Sequence, residues 1–83
     1  MQVLNSMGLI LYTGQGCSLC DQAEALIEYV DKSAFAMLKK VDVRAKIDLY
    51  HLYGERIPVL YHEDLKSELP WPFDFFQLGE FLR

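Results

Sequence analysis

Cys17 and Cys20 are the two cysteines of the chain and stand three positions apart in Gly14-Gln15-Gly16-Cys17-Ser18-Leu19-Cys20. If a helix opens at Ser18, residues at this spacing lie on one face and the two sulfurs can close into a disulfide. The same opening places the first thiol against unpaired backbone N–H groups and the positive end of the helix dipole. Both favour a thiolate and lower its pKa from the usual value of about 8.5. Cys17 is therefore the expected nucleophile. Cys20, one turn further into the helix, is the expected resolving thiol. The chemistry is thiol–disulfide exchange through a mixed disulfide.

Other readings of these residues need more than the chain offers. Two cysteines can pack as small hydrophobes, although a pair opening a helix after a Gly-rich turn is an unusual place for that. A closed zinc site needs four ligands, and the remaining candidates, His51 and His62, lack finger-like spacing. No metal is expected. A Cys–His nucleophilic pair finds no support, since neither histidine is brought to the cysteines by the pattern.

The elements that must position the dithiol follow from periodicity. Gly8-Leu9-Ile10-Leu11-Tyr12-Thr13 is an apolar run closed by glycines and reads as a buried strand. Over residues 18–31, Leu19, Ala23, Leu26, Ile27 and Val30 recur at helical spacing, with Asp21, Gln22, Glu24 and Glu28 on the other face. An Asp-Lys-Ser break precedes a second strand, Met37 to Val43. Lys46 to Tyr53 reads as a short helix with Gly54 as its C-cap. Ile57 to His62 and Leu65 to Leu69 flank a turn at Glu63-Asp64 and predict a hairpin. Pro70-Trp71-Pro72 ends it, and Phe75, Leu78, Phe81 and Leu82 mark a last helix with Asp74 at its start. The order is βαβαββα. Its first two strands pair in parallel through a crossover helix and its last two form the hairpin, giving a four-stranded mixed sheet of α/β class.

With 83 residues, 52% of them hydrophobic, one domain spanning 1–83 is expected. A net charge of −4 argues against nucleic acid as a partner, because that affinity rests on neutralising phosphates with Lys and Arg. No stretch approaches the roughly 20 apolar residues of a membrane helix, and Met1 to Leu11 lacks the basic start of an export signal. With no framework of structural disulfides, reducing cytoplasm is the expected compartment. A monomer is expected.

Taken together, strand, Cys17-Ser18-Leu19-Cys20, helix, and Ile57-Pro58 entering a hairpin resemble the glutaredoxin branch of the thioredoxin superfamily over nearly the whole chain. More narrowly, the chain resembles short bacterial glutaredoxin-like proteins. They share Tyr-Thr before a Gly-Cys-x-Leu-Cys-Asp stretch, an Ile-Pro-Val-Leu strand and a Trp-Pro-Phe turn. Here these are Tyr12-Thr13, Gly16 to Asp21, Ile57 to Leu60, and Trp71 to Phe73. The resemblance implies a three-layer thioredoxin-like sandwich and a role in redox homeostasis. It implies that Pro58 follows a cis bond and faces the dithiol, with the backbone of Ile57 binding extended substrate. An X-Pro bond is cis in only about 5% of cases, so the resemblance carries that expectation. Read from the residues alone, Pro58 is equally a strand-start proline.

Two departures bear on glutathione as co-substrate. Glutathione-dependent glutaredoxins carry a Lys three residues before the first cysteine and a Gly-Gly pair after the last strand; here those places hold Gly14 and Leu69-Pro70-Trp71-Pro72. Ser18 and Leu19 replace the usual Pro and Tyr between the cysteines. Unlike thioredoxins proper, the first strand has no acid, so Cys20 needs another proton acceptor. Arg56 adjoins Ile57-Pro58 and is a candidate to favour the Cys17 thiolate or bind a substrate carboxylate. Tyr12 and Thr13 read as packing, and Trp71 as a plug at one end of the core.

The expected function is thus thiol–disulfide exchange with a protein or small-molecule disulfide. The runner-up is a thioredoxin-fold binding module that uses the groove beside Pro58 and keeps the dithiol incidentally or for an iron–sulfur cluster.

Overall fold

The computed structural model describes residues 8–83. The reading of an amino end without an export signal falls largely on residues 1–7, outside the described residues. The elements run β1 (Leu9–Thr13), α1 (Ser18–Val30), α2 (Lys32–Met37), β2 (Lys39–Asp42), α3 (Ile47–Tyr53), β3 (Val59–His62), β4 (Ser67–Pro70) and α4 (Phe75–Phe81), with a 3-10 turn at Val43–Ala45 before α3. The strands form one sheet in the order β2-β1-β3-β4. β1 and β2 are parallel, while β1/β3 and β3/β4 are antiparallel. This is the mixed sheet of a thioredoxin-like α/β fold.

Both faces of the sheet are covered, which is why β1 is a continuous apolar run instead of an alternating one. One face carries Leu9, Leu11 and Leu60, buried with Ala23 and Ile27 of α1, Ala34 of α2, Phe73, and Leu78 of α4. The opposite face carries Val59, buried with Val43 and Tyr53, and Tyr12, Leu49 and Ile57 pack against this smaller cluster. The result is three layers, with α1 and α4 on one side of the sheet and α3 on the other.

One helix was not anticipated. The Asp-Lys-Ser break is a helix start: Asp31 ends α1, donating its N–H to the Ile27 carbonyl, and caps α2 by accepting the Ala34 N–H at 3.0 Å. Met37 therefore belongs to α2, and the second strand shortens to Lys39–Asp42. The hairpin turn is also longer than Glu63-Asp64. His62 pairs with Ser67, and the intervening turn is completed by Lys66 at φ 50° and by a hydrogen bond from the Leu65 N–H to His62 Nδ1. Gly54 does cap α3, but in right-handed conformation. What requires glycine there is proximity, since a Cβ would lie 2.5 Å from the Tyr50 carbonyl oxygen. Asp74 caps α4 as expected, in a reciprocal capping box with Gln77.

Candidate active site

The dithiol sits where β1 turns into α1. Gly16 makes the turn at φ 65°, a left-handed conformation that glycine adopts without penalty. Cys17 follows in extended conformation as the N-cap of α1. Its Sγ accepts the backbone N–H of Cys20 at 3.1 Å, a place usually taken by a Ser or Asp oxygen. Cys17 and Cys20 are joined as a disulfide with Cα atoms 5.2 Å apart, within the ordinary range for such a bridge. Cys17 is half-buried, whereas Cys20 is 1% exposed. An N-capping sulfur at the start of a 13-residue helix is well placed to carry negative charge when the bridge is reduced.

The sheet register brings the Ile57-Pro58 segment to the same end. Tyr12 pairs with Val59, and Val59 pairs with Pro70, so the end of β1, the start of β3 and the end of β4 coincide. Pro58 is fully buried and its peptide bond with Ile57 is cis, as the resemblance implied. The side chain of Ile57 reaches the active turn, since a Cβ on Gly14 would lie 2.9 Å from Ile57 Cδ1. The Pro58 carbonyl accepts the Trp71 N–H at 3.1 Å, and the Ile57 N–H is donated to the Tyr53 carbonyl at 3.1 Å. The second of these matters for the substrate role expected of Ile57: its N–H is already engaged within the chain.

Trp71 packs against the larger core and meets Phe73 edge to face at 5.0 Å, so it is a core plug, but at the dithiol end. A second cis bond joins it to Pro72. His62 lies at the opposite end, paired with Leu9, and His51 is on the exposed side of α3. Neither joins the dithiol. Among the described residues no group of three His, Cys, Asp or Glu converges on one point.

Arg56 flanks the Ile57-Pro58 segment, and its guanidinium is held by an acid. It forms an ion pair with Glu68 of β4, reaches the Leu52 carbonyl at 3.4 Å, and lies 5.3 Å from the centre of the Tyr53 ring. Tyr53 in turn stacks on Tyr12 with ring centres 4.2 Å apart. Burial, then the charge of Glu68 and the neighbouring Tyr12, push the Tyr53 phenol up to about 12; a hydrogen bond to Glu68 acts in the same direction. Burial also raises Tyr12, helped by Tyr61 and Glu63. Sequence reasoning missed Tyr53 and Glu68 as neighbours of the site. The signal that finds Glu68 is register, because it pairs with Tyr61 on the α3 side of the sheet.

The profile of the glutaredoxin-like domain (DUF836) matches residues 8–83, the whole of this sheet and its helices. The chain belongs to that family. Its fold is similar to that of solved structures of two proteins. The crystal structure of protein XcR50 from X. campestris is 35% identical, with a TM-score of 0.78 over 89% of this chain and 93% of that one. The solution structure of the same target is 37% identical, with a TM-score of 0.77 over 92% of each chain. Protein Ne2328 from Nitrosomonas europaea is 25% identical, with a TM-score of 0.77 over 100% of this chain and 99% of that one. A comparison with curated proteins finds no match. This glutaredoxin-like domain thus carries its Cys-x-x-Cys pair at the start of α1.

Proposed function

We propose that this glutaredoxin-like domain is a thiol–disulfide oxidoreductase acting on a protein or small-molecule disulfide, with Cys17 as nucleophile and Cys20 as resolving thiol. One observation supports the assignment above the rest: the half-buried Cys17 sulfur receives the Cys20 N–H at the helix start, while Cys20 is enclosed. In the reduced protein the Cys17 thiolate attacks a substrate disulfide. A Cys17–substrate bond forms, the substrate S–S bond breaks, and the leaving thiolate takes a proton. Cys20 then gives up its proton and attacks Cys17 Sγ, closing the intramolecular bridge and releasing the second substrate thiol. Two electrons pass to the substrate, and the reverse sequence oxidises a dithiol.

The cis Ile57-Pro58 segment is the proposed seat for the substrate chain beside the attacked sulfur. With Gly14 and Leu69-Pro70-Trp71-Pro72 in place of the Lys and the Gly-Gly pair that the resemblance to glutathione-dependent glutaredoxins would call for, glutathione is not the favoured co-substrate. Among the described residues no helix is long and apolar enough to cross a membrane. The proposed setting is the cytoplasm, with the chain acting as a monomer, without nucleic acid and without a metal or other cofactor.

The test is to equilibrate the protein across glutathione redox buffers, quench with an alkylating reagent and weigh the intact chain. A loss of two protons with a defined midpoint is expected. Cys17→Ser should abolish exchange and Cys20→Ser should accumulate a mixed disulfide. If both thiols stay free at every potential, the oxidoreductase reading is wrong and the binding-module reading takes its place; an absorbing, coloured preparation would point to an iron–sulfur cluster instead.

A further inference from the structure

Around Arg56 the structure builds a continuous chain of contacts that ends on the proposed substrate segment. Glu68 projects from β4 on the α3 side of the sheet and holds the Arg56 guanidinium. Arg56 lies over the Tyr53 ring, and its own N–H is donated to the Tyr53 carbonyl at 2.8 Å. The same carbonyl accepts the Ile57 N–H at 3.1 Å, and the Ile57 side chain abuts the Gly14 turn that leads to Cys17. Tyr53 is 8% exposed and is also stacked on the Tyr12 ring. The path ends on Ile57, the residue before Pro58.

Resting on the oxidoreductase reading above, we propose that Glu68 and Tyr53 are positioning residues for disulfide exchange. Through Arg56 they hold the Ile57-Pro58 segment at the distance from the Gly14 turn that a substrate chain requires. Arg56 then works as a strut between β4 and the segment, and its charge is balanced by Glu68 instead of being offered to the Cys17 sulfur. Bidentate-capable Arg suits this role because its fork can meet a carboxylate and a helix-terminal carbonyl while its flat face covers an aromatic ring. The carboxylate and guanidinium side chains are 33% and 45% exposed, so the pair is a modest clamp and not a buried one. Its loss should loosen the segment without unfolding the domain.

Two readouts test this. The first does not depend on activity: amide exchange at Ile57, followed by NMR in the oxidised protein. Glu68→Gln should speed that exchange about two- to fivefold, the range corresponding to one partly exposed ion pair. Tyr53→Phe, which keeps the ring under Arg56 and the carbonyl that accepts both N–H groups, should leave it nearly unchanged, whereas Tyr53→Leu, which removes the ring, should move it in the same direction. Arg56→Gln should match Glu68→Gln, and Arg56→Lys, which keeps the ion pair, should restore part of the protection. The second readout is steady-state exchange with a disulfide-bridged peptide, together with the pH profile of Cys17 alkylation. KM should rise by about the same two- to fivefold in Glu68→Gln and Arg56→Gln, with kcat and the alkylation profile unchanged.

Unchanged Ile57 exchange in Glu68→Gln overturns the clamp. So does an Arg56→Gln profile moved to higher pH with no change in KM, which would make Arg56 a direct partner of the thiolate. If the unaltered protein exchanges no disulfide at all, the functional reading fails, and the Ile57 amide comparison still decides whether the clamp exists.

Discussion

Cys17 and Cys20 lie one helical turn apart, yet they meet different surroundings. Cys17 caps the helix with its sulfur and keeps part of its surface in solvent, while Cys20 is closed in at 1% exposure. After reduction, a brief pulse of iodoacetamide should label Cys17 before Cys20, and peptide mapping of the singly labelled species should find the adduct on Cys17. Predominant labelling of Cys20 would reverse the assigned roles. Tyr53 carries a second consequence at this scale. Burial and the Glu68 charge raise its phenol to about 12 in the folded chain, against about 10 when unfolded. The folded state holds that proton more tightly, so the associated stability is complete below pH ~10 and is lost as pH climbs toward ~12. Urea midpoints measured at pH 9, 10 and 11 should therefore fall less steeply in Tyr53→Phe than in the unaltered protein. Parallel slopes would mean that Tyr53 ionises alike in both states.

At the scale of elements, Asp31 does double duty between α1 and α2. Asp31→Ala removes the acceptor for the Ala34 N–H and should cost roughly 1 kcal/mol, seen as a lower urea midpoint and as faster exchange confined to Lys32–Met37. Gly54→Ala is the harsher change. Its Cβ would press on the Tyr50 carbonyl at 2.5 Å and on the Tyr50 ring, and neither the helix backbone nor the segment leading to Ile57 can retreat freely. A clear drop in melting temperature is expected, and an unchanged one would show that α3 ends differently. These two positions also show what could be read in advance. β1 was legible as an unbroken apolar run, α1 because Cys20, Ala23 and Ile27 are buried at helical spacing, and α3 and α4 through their stop and start residues Gly54 and Asp74, although each buries a single residue, Tyr53 or Leu78. α2 was not, since it buries only Ala34 and is too short to repeat. Its one signal was Asp31-Lys32-Ser33, equally the mark of a turn. The dithiol was legible because its partners are neighbours in sequence. Arg56 was legible as a neighbour of Ile57-Pro58, but its partners Tyr53 and Glu68 were not, because Glu68 meets Arg56 only through the pairing register of β3 and β4.

Across the described residues, one sheet separates two cores of unequal size, and the proposed substrate segment is built on the smaller. Leu60 and Val59 are adjacent on β3 yet belong to different cores, the first to the α1 and α4 side and the second to the α3 side. The larger core holds α1 and therefore the cysteines in place. The smaller rests on Val43, Tyr53 and Val59, supported by the half-buried Leu49 and Ile57. Local opening free energy follows the apolar area an element buries, so α3 and the residues through Ile57 should open before α1 and the central strands. Leu60→Ala should lower the stability of every protected amide by about 2–5 kcal/mol, because it opens a cavity in the larger core on β3, the strand that carries residues of both cores. Leu49→Ala should instead speed exchange across Ile47–Tyr53 and at Ile57 while leaving the slowest amides of β1 and α1 nearly unchanged. Native-state hydrogen exchange resolves the two patterns. A uniform response to Leu49→Ala would mean that both cores melt as one, and that mobility of the Ile57-Pro58 segment cannot be adjusted separately from the stability of the dithiol helix.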